Sequence, residues 1–433
     1  MESVDVVVIG AGASGLMAGV CLAEEVVRRH RKEKILILEA AQKPGRKLLA
    51  TGNGRCNITN SNIDSKKYHG DYKLARSVLE KYPAQAVMRK FSSLGLFFRE
   101  EEEGRVYPYS AQASAVLDLL RFQLDTLGVE IRCGVKVSSC QKQRSVFLLS
   151  SEEGPILQAR KVVLTTGGKA SPQLGADGSG FLLAQKMGHT VTPLFPSLVP
   201  VRTAPERVKA LKGMRSRATV RLLVNGRVWK KERGEVQFTE NGLSGICMFQ
   251  LSRTVSEIFS PQTGKKTENS VEISIDLMPE YSEKELLEQL LQRRFLLKEV
   301  ASLDFLTGMI NKRVGQEIIR ISLKNCPSTV GQLTAEMCAR IVAAVKDFRF
   351  PCLGVMSWQN SQVTAGGIPL TEINLDTMES EICPGLYFAG EILNVDGDCG
   401  GFNLHWAWAS AMAIRAFADF TLPPSREKRK RKA

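Results

Sequence analysis

The chain has 433 residues, 43% of them hydrophobic and 24% charged, a globular composition too long for one ordinary core, so two or three domains are expected. No apolar run approaches the roughly 18 residues of a membrane-spanning helix, and the start of the sequence carries no basic-then-apolar leader. Ten scattered cysteines with no CxxC pair and four dispersed histidines argue against a metal site and a disulfide framework; a reducing, cytoplasmic setting without a membrane partner is expected. The net charge of +14 is unevenly placed: residues 426–432 supply +5, and residues 202–233, with eleven bases against two acids, supply +9. Such a concentration reads either as a footprint for a polyanion or as an ordinary solvated face.

Residues 5–9 are a β-branched apolar run without polar alternation, which predicts a buried parallel strand. The run opens into Gly10-Ala11-Gly12-Ala13-Ser14-Gly15 and a helical stretch over 16–30; residues 34–38 read as a second strand with Glu39 at its end. This is a βαβ unit. Helix is predicted over 73–94 with a break at Pro83 and over 113–127, and strand over 129–137 and 158–166, the latter ending in Gly167-Gly168. From 193 to 279 the texture turns basic and β-branched, as in 218–224 and 271–275, and 283–345 is mostly helical. A strand over 385–391, a glycine-rich turn and an Ala-rich helix over 403–417 restore the texture of the opening segment.

The expected fold is therefore α/β: a Rossmann-like two-dinucleotide-binding domain made from residues 1–192 and 351–420. It is interrupted by a strand-rich, β-barrel-like domain at 193–279 and a small helical domain at 280–350, and 421–433 form a disordered basic tail.

Three glycines at 10, 12 and 15 do three jobs: a tight turn, close approach of backbone to a pyrophosphate, and close packing of helix on strand. Amides at the helix start and the positive end of its dipole suit phosphate, and Glu39 stands near the offset expected for the acid that binds ribose hydroxyls. The returning segment points to FAD rather than NAD. There Glu391, after Gly390, is placed for a ribityl or pyrophosphate group. Gly397, Gly400 and Gly401 let backbone approach a flat ring, and the helix starting near Asn403 turns its positive end toward the flavin N1 and O2 edge. In the loop between, Arg46 and Lys47 offer cations to the pyrophosphate, and Gly52 and Gly54 allow backbone to run beside the isoalloxazine. Cys56, next to Arg55, reads either as a general acid or redox partner of the flavin or as a small packed residue. His405, in the first turn of the closing helix, reads as a ring contact or as structural. The full set of candidate cofactor contacts is Gly10, Gly12, Ala13, Ser14, Gly15, Glu39, Ala40, Arg46, Lys47, Gly52, Asn53, Gly54, Arg55, Asn57, Val137, Thr166, Gly167, Gly168, Gly390, Glu391, Asp396, Gly400, Gly401, Phe402 and Asn403.

The run Lys43-Pro44-Gly45-Arg46-Lys47-Leu48-Leu49 with Gly52-Asn53-Gly54-Arg55-Cys56-Asn57, followed in order by Thr165-Thr166-Gly167-Gly168, Phe195-Pro196-Ser197, Thr239-Glu240-Asn241-Gly242, Thr364-Ala365-Gly366-Gly367 and Ala389-Gly390-Glu391, resembles the BaiN/RdsA family of FAD-dependent oxidoreductases over residues 4–417. Relatives often carry a third glycine where this chain has Asn53, a departure that touches local turn geometry. The resemblance implies an FAD domain interrupted by strand-rich and helical domains. It also implies reduction of a C=C bond conjugated to a carbonyl, either of a uridine in large-subunit ribosomal RNA to dihydrouridine or of a 3-dehydro-bile acid delta4,6 enone. A flavin-bearing electron-transfer or RNA-binding protein without its own turnover is the third alternative. Only one nucleotide fingerprint is present, since the glycines of 175–180 lack a βαβ context. NAD(P)H is therefore expected to dock transiently, or electrons to arrive from another protein. For the RNA alternative, Arg215, Arg217 and Arg221 of the basic insert, with the tail, are the expected phosphate contacts.

Overall fold

The apolar run near the start of the chain becomes the strand Glu2–Ile9 of a computed structural model that describes residues 1–261 and 270–417; the expected tail at 421–433 lies outside the described residues. Val6, Val7 and Val8 are wholly buried because parallel neighbours flank the strand: Ile35–Glu39 on one side and Gly154–Leu164 on the other. Glu130–Cys133 extends the sheet beyond Ile35–Glu39. On the opposite flank Leu386–Phe388 pairs in parallel with Gly154–Leu164, so the two ends of the chain build one sheet. The opening helix Ala13–Arg28 packs on the closing helix Phe402–Met412. The latter buries Trp406 and Trp408, whose indole N–H groups donate to the carbonyls of Gly390 (3.2 Å) and Ile58 (3.0 Å). Pro83 separates Tyr72–Lys81 from Ala84–Ser93, as its missing N–H dictates.

The insert closes into a six-stranded antiparallel barrel of Val201–Thr203, Gly242–Ser244, Arg227–Phe238, Arg215–Val224, Val271–Asp276 and Phe348–Val355. The sequence seam at 350/351 falls inside the last of these strands. Phe348, Phe350 and Cys352 alternate inward with exposed Arg349, Pro351 and Leu353, and Phe348 and Phe350 pack with Phe238 in the barrel. The helices Glu283–Leu296, Lys312–Ser322 and Ala335–Lys346 therefore form an excursion between the fifth and sixth barrel strands in chain order, and they share one hydrophobic core with the barrel. The insert also contains the helix Ile246–Phe259, which the strand-rich texture of 193–279 did not announce. It buries Leu251, Val255 and Ile258 against the barrel core. Its other face is turned to the dinucleotide-binding domain.

Candidate functional site

The three opening glycines are distinguished by their surroundings. Gly10 takes φ +105, and a Cβ there would lie 2.6 Å from the Thr165 carbonyl oxygen. A Cβ on Gly15 would lie 1.8 Å from the Gly10 carbonyl oxygen, so the helix rests on the strand only because that atom is missing. A Cβ on Gly12 would meet nothing within 4 Å: it points into a cleft of about 480 Å³. The opening helix starts there with Gly12 as N-cap, no side-chain cap and no acid in its first turn. The closing helix starts in the same way, with Gly401 at φ +101 as an uncapped N-cap, and Gly401, Asn403 and Leu404 line the same cleft. Two helix N-termini, whose first-turn amides have no side-chain cap among the described residues, thus face one cavity, at sites that favour negative charge.

Of the residues singled out in the sequence, the cleft brings together Gly10, Gly12, Ala13, Ser14, Glu39, Arg46, Lys47, Gly52, Asn53, Arg55, Asn57, Thr166, Gly167, Glu391, Gly400, Gly401 and Asn403. Glu39 accepts from the Ala11 amide (2.7 Å) through one carboxylate oxygen and from the Ala41 amide (2.8 Å) through the other. Lys47 donates to Glu391 (2.7 Å), which also accepts from the Thr364 amide (2.8 Å), and Arg46 donates to the Gln173 carbonyl (2.8 Å). Both cations therefore stand on the cleft wall with protein partners already in place. Asn53 adopts φ +56 next to Gly52 at φ +57, and asparagine is among the few non-glycine residues that take left-handed backbone at small strain. This is how the loop keeps its turn without a third glycine.

Other candidates lie off the cleft wall. Gly15, Gly168 and Gly390 are packing glycines, whose Cβ positions are occupied by the Gly10 carbonyl, the Thr364 side chain and the Ser14 side chain. Ala40 and Gly54 are exposed; Val137 and Phe402 are buried. Asp396, with no exposed surface, accepts from Arg253 Nε (2.8 Å) and Nη2 (3.3 Å), an ion pair that joins the helix Ile246–Phe259 to the loop carrying Gly400 and Gly401. Gln250 on the same helix accepts from the Cys399 amide (2.9 Å). Cys56 is fully buried at φ +59, and desolvation pushes its thiol up to about 12. His405 is also sealed, its Nδ1 bonded to the Thr59 hydroxyl (2.8 Å), and burial lowers its imidazole to about 4. Neither side chain reaches the cavity.

Several residues on the cleft wall were not among the expected cofactor contacts. Leu198, Ile246, Phe249, Gln362 and Val363 come from the insert and the segment after it; Arg105, Tyr107 and Cys399 come from the dinucleotide-binding domain. Alternation in the strand Arg105–Pro108 puts Arg105 and Tyr107 on one face, and spacing of three puts Ile246 and Phe249 on one helix face. Nothing local says that those faces meet a cofactor cleft. The Arg55 guanidinium lies 4.0 Å from the centre of the Tyr107 ring and is ion-paired to Glu101.

The donor set fits FAD on features of the cavity itself. The open position at Gly12, the paired free helix N-termini, and Asn57 Oδ1, a buried acceptor on the cleft wall without a hydrogen-bond partner among the described residues, are each suited to a ligand with phosphates at one end and a polar-edged ring at the other. Among the described residues no cluster of His, Cys, Asp and Glu could hold a metal ion, and no helix is long and apolar enough to cross a membrane.

The three arginines assigned to RNA are placed apart from this cleft. Arg215 is exposed and pairs with Glu235 (3.2 Å), Arg217 is exposed, and Arg221 is half-buried, donating to the Lys346 carbonyl (2.6 Å). Elsewhere in the basic stretch Lys212 pairs with Glu240, Lys230 with Glu232 and Arg233 with Glu280.

A family model described as the HI0933-like protein Rossmann domain matches residues 4–416. The chain is 35% identical over 416 residues to the 3-dehydro-bile acid delta(4,6)-reductase of Clostridium scindens, covering 95% of this chain and 98% of that protein. It is 29% identical to the ribosomal RNA dihydrouridine synthase of Escherichia coli, over 95% of this chain and 97% of that one. Identity to the enzyme of the same description from Haemophilus influenzae is 28%, over 94% and 96%.

Proposed function

The chain belongs to the HI0933-like family of FAD-dependent oxidoreductases, and from that membership we propose that it reduces a C=C bond conjugated to a carbonyl, with NAD(P)H as the source of electrons. Bound FAD supplies two-electron chemistry, taking up and giving out a hydride equivalent at its ring. The chain's own residues bind, orient and screen. Amides following Gly12 would hold the pyrophosphate, Glu39 the ribose hydroxyls, and Asn57, Gly400, Gly401 and Asn403 the ring end. Leu198, Phe249 and Val363 exclude water beside that end, and Arg55 and Arg105 place positive charge where a substrate carbonyl gains electron density.

The observation that carries this reading is the joining of the two uncapped helix N-termini to a chamber roofed by Leu198, Ile246 and Phe249 of the insert. Apolar walls with a few cations favour a small enone with an apolar body. The test is anaerobic. After reduction of the purified flavoprotein by NADPH or NADH, a steroid 4-en-3-one is expected to restore the oxidised flavin spectrum, and a flavin that stays bleached with every enone offered would refute it.

A second reading, reduction of a uridine in large-subunit ribosomal RNA, is favoured by a separate observation. Lys209, Arg217, Arg227 and Lys231 of the basic stretch are exposed and unpaired among the described residues. Deleting the gene should then remove one dihydrouridine from the ribosomal RNA by mass spectrometry. An unchanged level discards this reading and leaves the first.

A further inference from the structure

Saturating a conjugated double bond needs a proton at the α-carbon as well as a hydride at the β-carbon. The two residues offered by the sequence for chemistry at the ring, Cys56 as a general acid and His405 as a ring contact, sit behind the cleft wall. Near Asn57 and Gly400 the described residues lining the cleft include Tyr107 with its phenol, Cys399 with its thiol and the guanidinium groups of Arg55 and Arg105. Both arginines are held by carboxylates, Arg55 by Glu101 and Arg105 by Glu103.

We propose that Tyr107 is the proton donor of the reduction, delivering its hydroxyl hydrogen to the α-carbon while Arg55 and Arg105 stabilise the phenolate that remains. This role presupposes the double-bond reduction proposed above. Tyr107 is only 8% exposed, yet its hydroxyl is bonded to no described residue and keeps some accessible surface, in a residue that lines the cleft. The ring is clamped between two supports. Arg55 covers one face at 4.0 Å, and a Cβ added to Gly52 would come within 3.3 Å of Tyr107 Cε1, which sets the ring against the loop that itself lines the cavity.

The charged surroundings separate the phenol from the thiol. Around Tyr107 stand the cations of Arg55 and Arg105, against Glu101 and Cys399; burial raises the hydroxyl above the ordinary phenol value and the two cations pull it back. Around Cys399, burial raises the thiol, Asp398 and Glu103 reinforce that, and only Arg105 opposes. Tyr107 thus carries its proton at neutral pH and has positive charge on hand once it has given the proton up.

In the balanced step the β-carbon receives a hydride, with two electrons, from the reduced flavin, and the α-carbon receives the proton of Tyr107. The π pair becomes a C–H bond, the flavin ends oxidised, and the phenolate regains a proton from water in the cleft.

Tyr107→Phe keeps the ring and removes the proton. In the holoenzyme it is expected to leave FAD content and anaerobic bleaching by NADPH unchanged and to slow reoxidation by the steroid enone by about 100-fold or more. A readout independent of turnover accompanies it: the tyrosinate absorbance titration of the full chain should lose one tyrosine in Tyr107→Phe, and that tyrosine should titrate at higher pH in Arg55→Gln. Reoxidation of Tyr107→Phe at the wild-type rate would overturn the assignment alone, as would a loss that follows Cys399→Ala instead. Wild-type reduced flavin that neither the enone nor uridine-bearing ribosomal RNA reoxidises would overturn the reduction itself and the role of Tyr107 with it.

Discussion

Alanine at Gly12 and alanine at Gly15 are one methyl each, three residues apart, and should do opposite things. At Gly15 the new Cβ would sit 1.8 Å from the Gly10 carbonyl oxygen and 2.7 Å from the Thr165 hydroxyl. The first neighbour is backbone, so helix and strand must separate by about 1.6 Å to restore an ordinary contact of about 3.4 Å. Alanine gains about 1 kcal/mol over glycine inside a helix, but overpacking of this kind costs about 1–3 kcal/mol and more where nothing yields. We expect Gly15→Ala to lose about 2 kcal/mol or more net, with FAD lost as a consequence. At Gly12 the backbone has φ −83 and the added atom meets nothing within 4 Å, so the fold weakens only by the roughly 1 kcal/mol or less that alanine costs relative to glycine as a helix N-cap. That atom enters the space where backbone must approach the pyrophosphate, and a loss of about 100-fold in FAD affinity, about 3 kcal/mol, is expected. Urea denaturation of the FAD-free proteins and the flavin-to-protein absorbance ratio after gel filtration separate the two effects. A Gly12→Ala protein with full flavin and a wild-type affinity, or a Gly15→Ala protein with an unchanged urea midpoint, would refute the division of labour between the glycines.

Three other perturbations test the site from different sides. Arg253→Met strands the Asp396 carboxylate, which has no exposed surface, and should destabilise the protein by about 3–5 kcal/mol; adding Asp396→Leu should recover most of the loss in urea melts. Burial lowers His405 to about 4 in the folded chain against an ordinary value near 6.5, so the unfolded chain binds the extra proton between those values and stability falls as pH drops through them. Between pH 7 and pH 5 that amounts to about 2 kcal/mol, which His405→Asn should not show; equal pH slopes for the two proteins would contradict it. Arg217→Gln, at an exposed position, should weaken ribosomal RNA binding and flatten its salt dependence by about one unit of slope if RNA is bound there, whereas Arg221→Gln should instead lower the urea midpoint because that side chain holds the Lys346 carbonyl.

The parts of this protein that could be read in sequence are those whose cause is local. The apolar run before Gly10, the spacing of Gly12 and Gly15 and the acid at Glu39 are each specified by their own neighbours, through buried β-branched residues and backbone that needs room. The return of that texture near Gly390 was legible for the same reason. The sixth barrel strand was split in the sequence reading because the signal that places it, Phe348 and Phe350 alternating inward, is only three turns of a two-residue period long and follows a helical stretch.

Side-chain direction and contact between distant segments belonged to the tertiary structure alone. Arg55 and Cys56 are adjacent, yet the left-handed backbone at Cys56 sends its thiol into the core while the arginine stays on the cleft wall over Tyr107. Asp396, which by position could have touched a cofactor, was claimed by Arg253, 143 residues away. Backbone preference is set within a few residues of the chain, but which polar groups end up sealed, paired or open to the cleft depends on the cooperative packing of two cores against each other, and no window of sequence contains both.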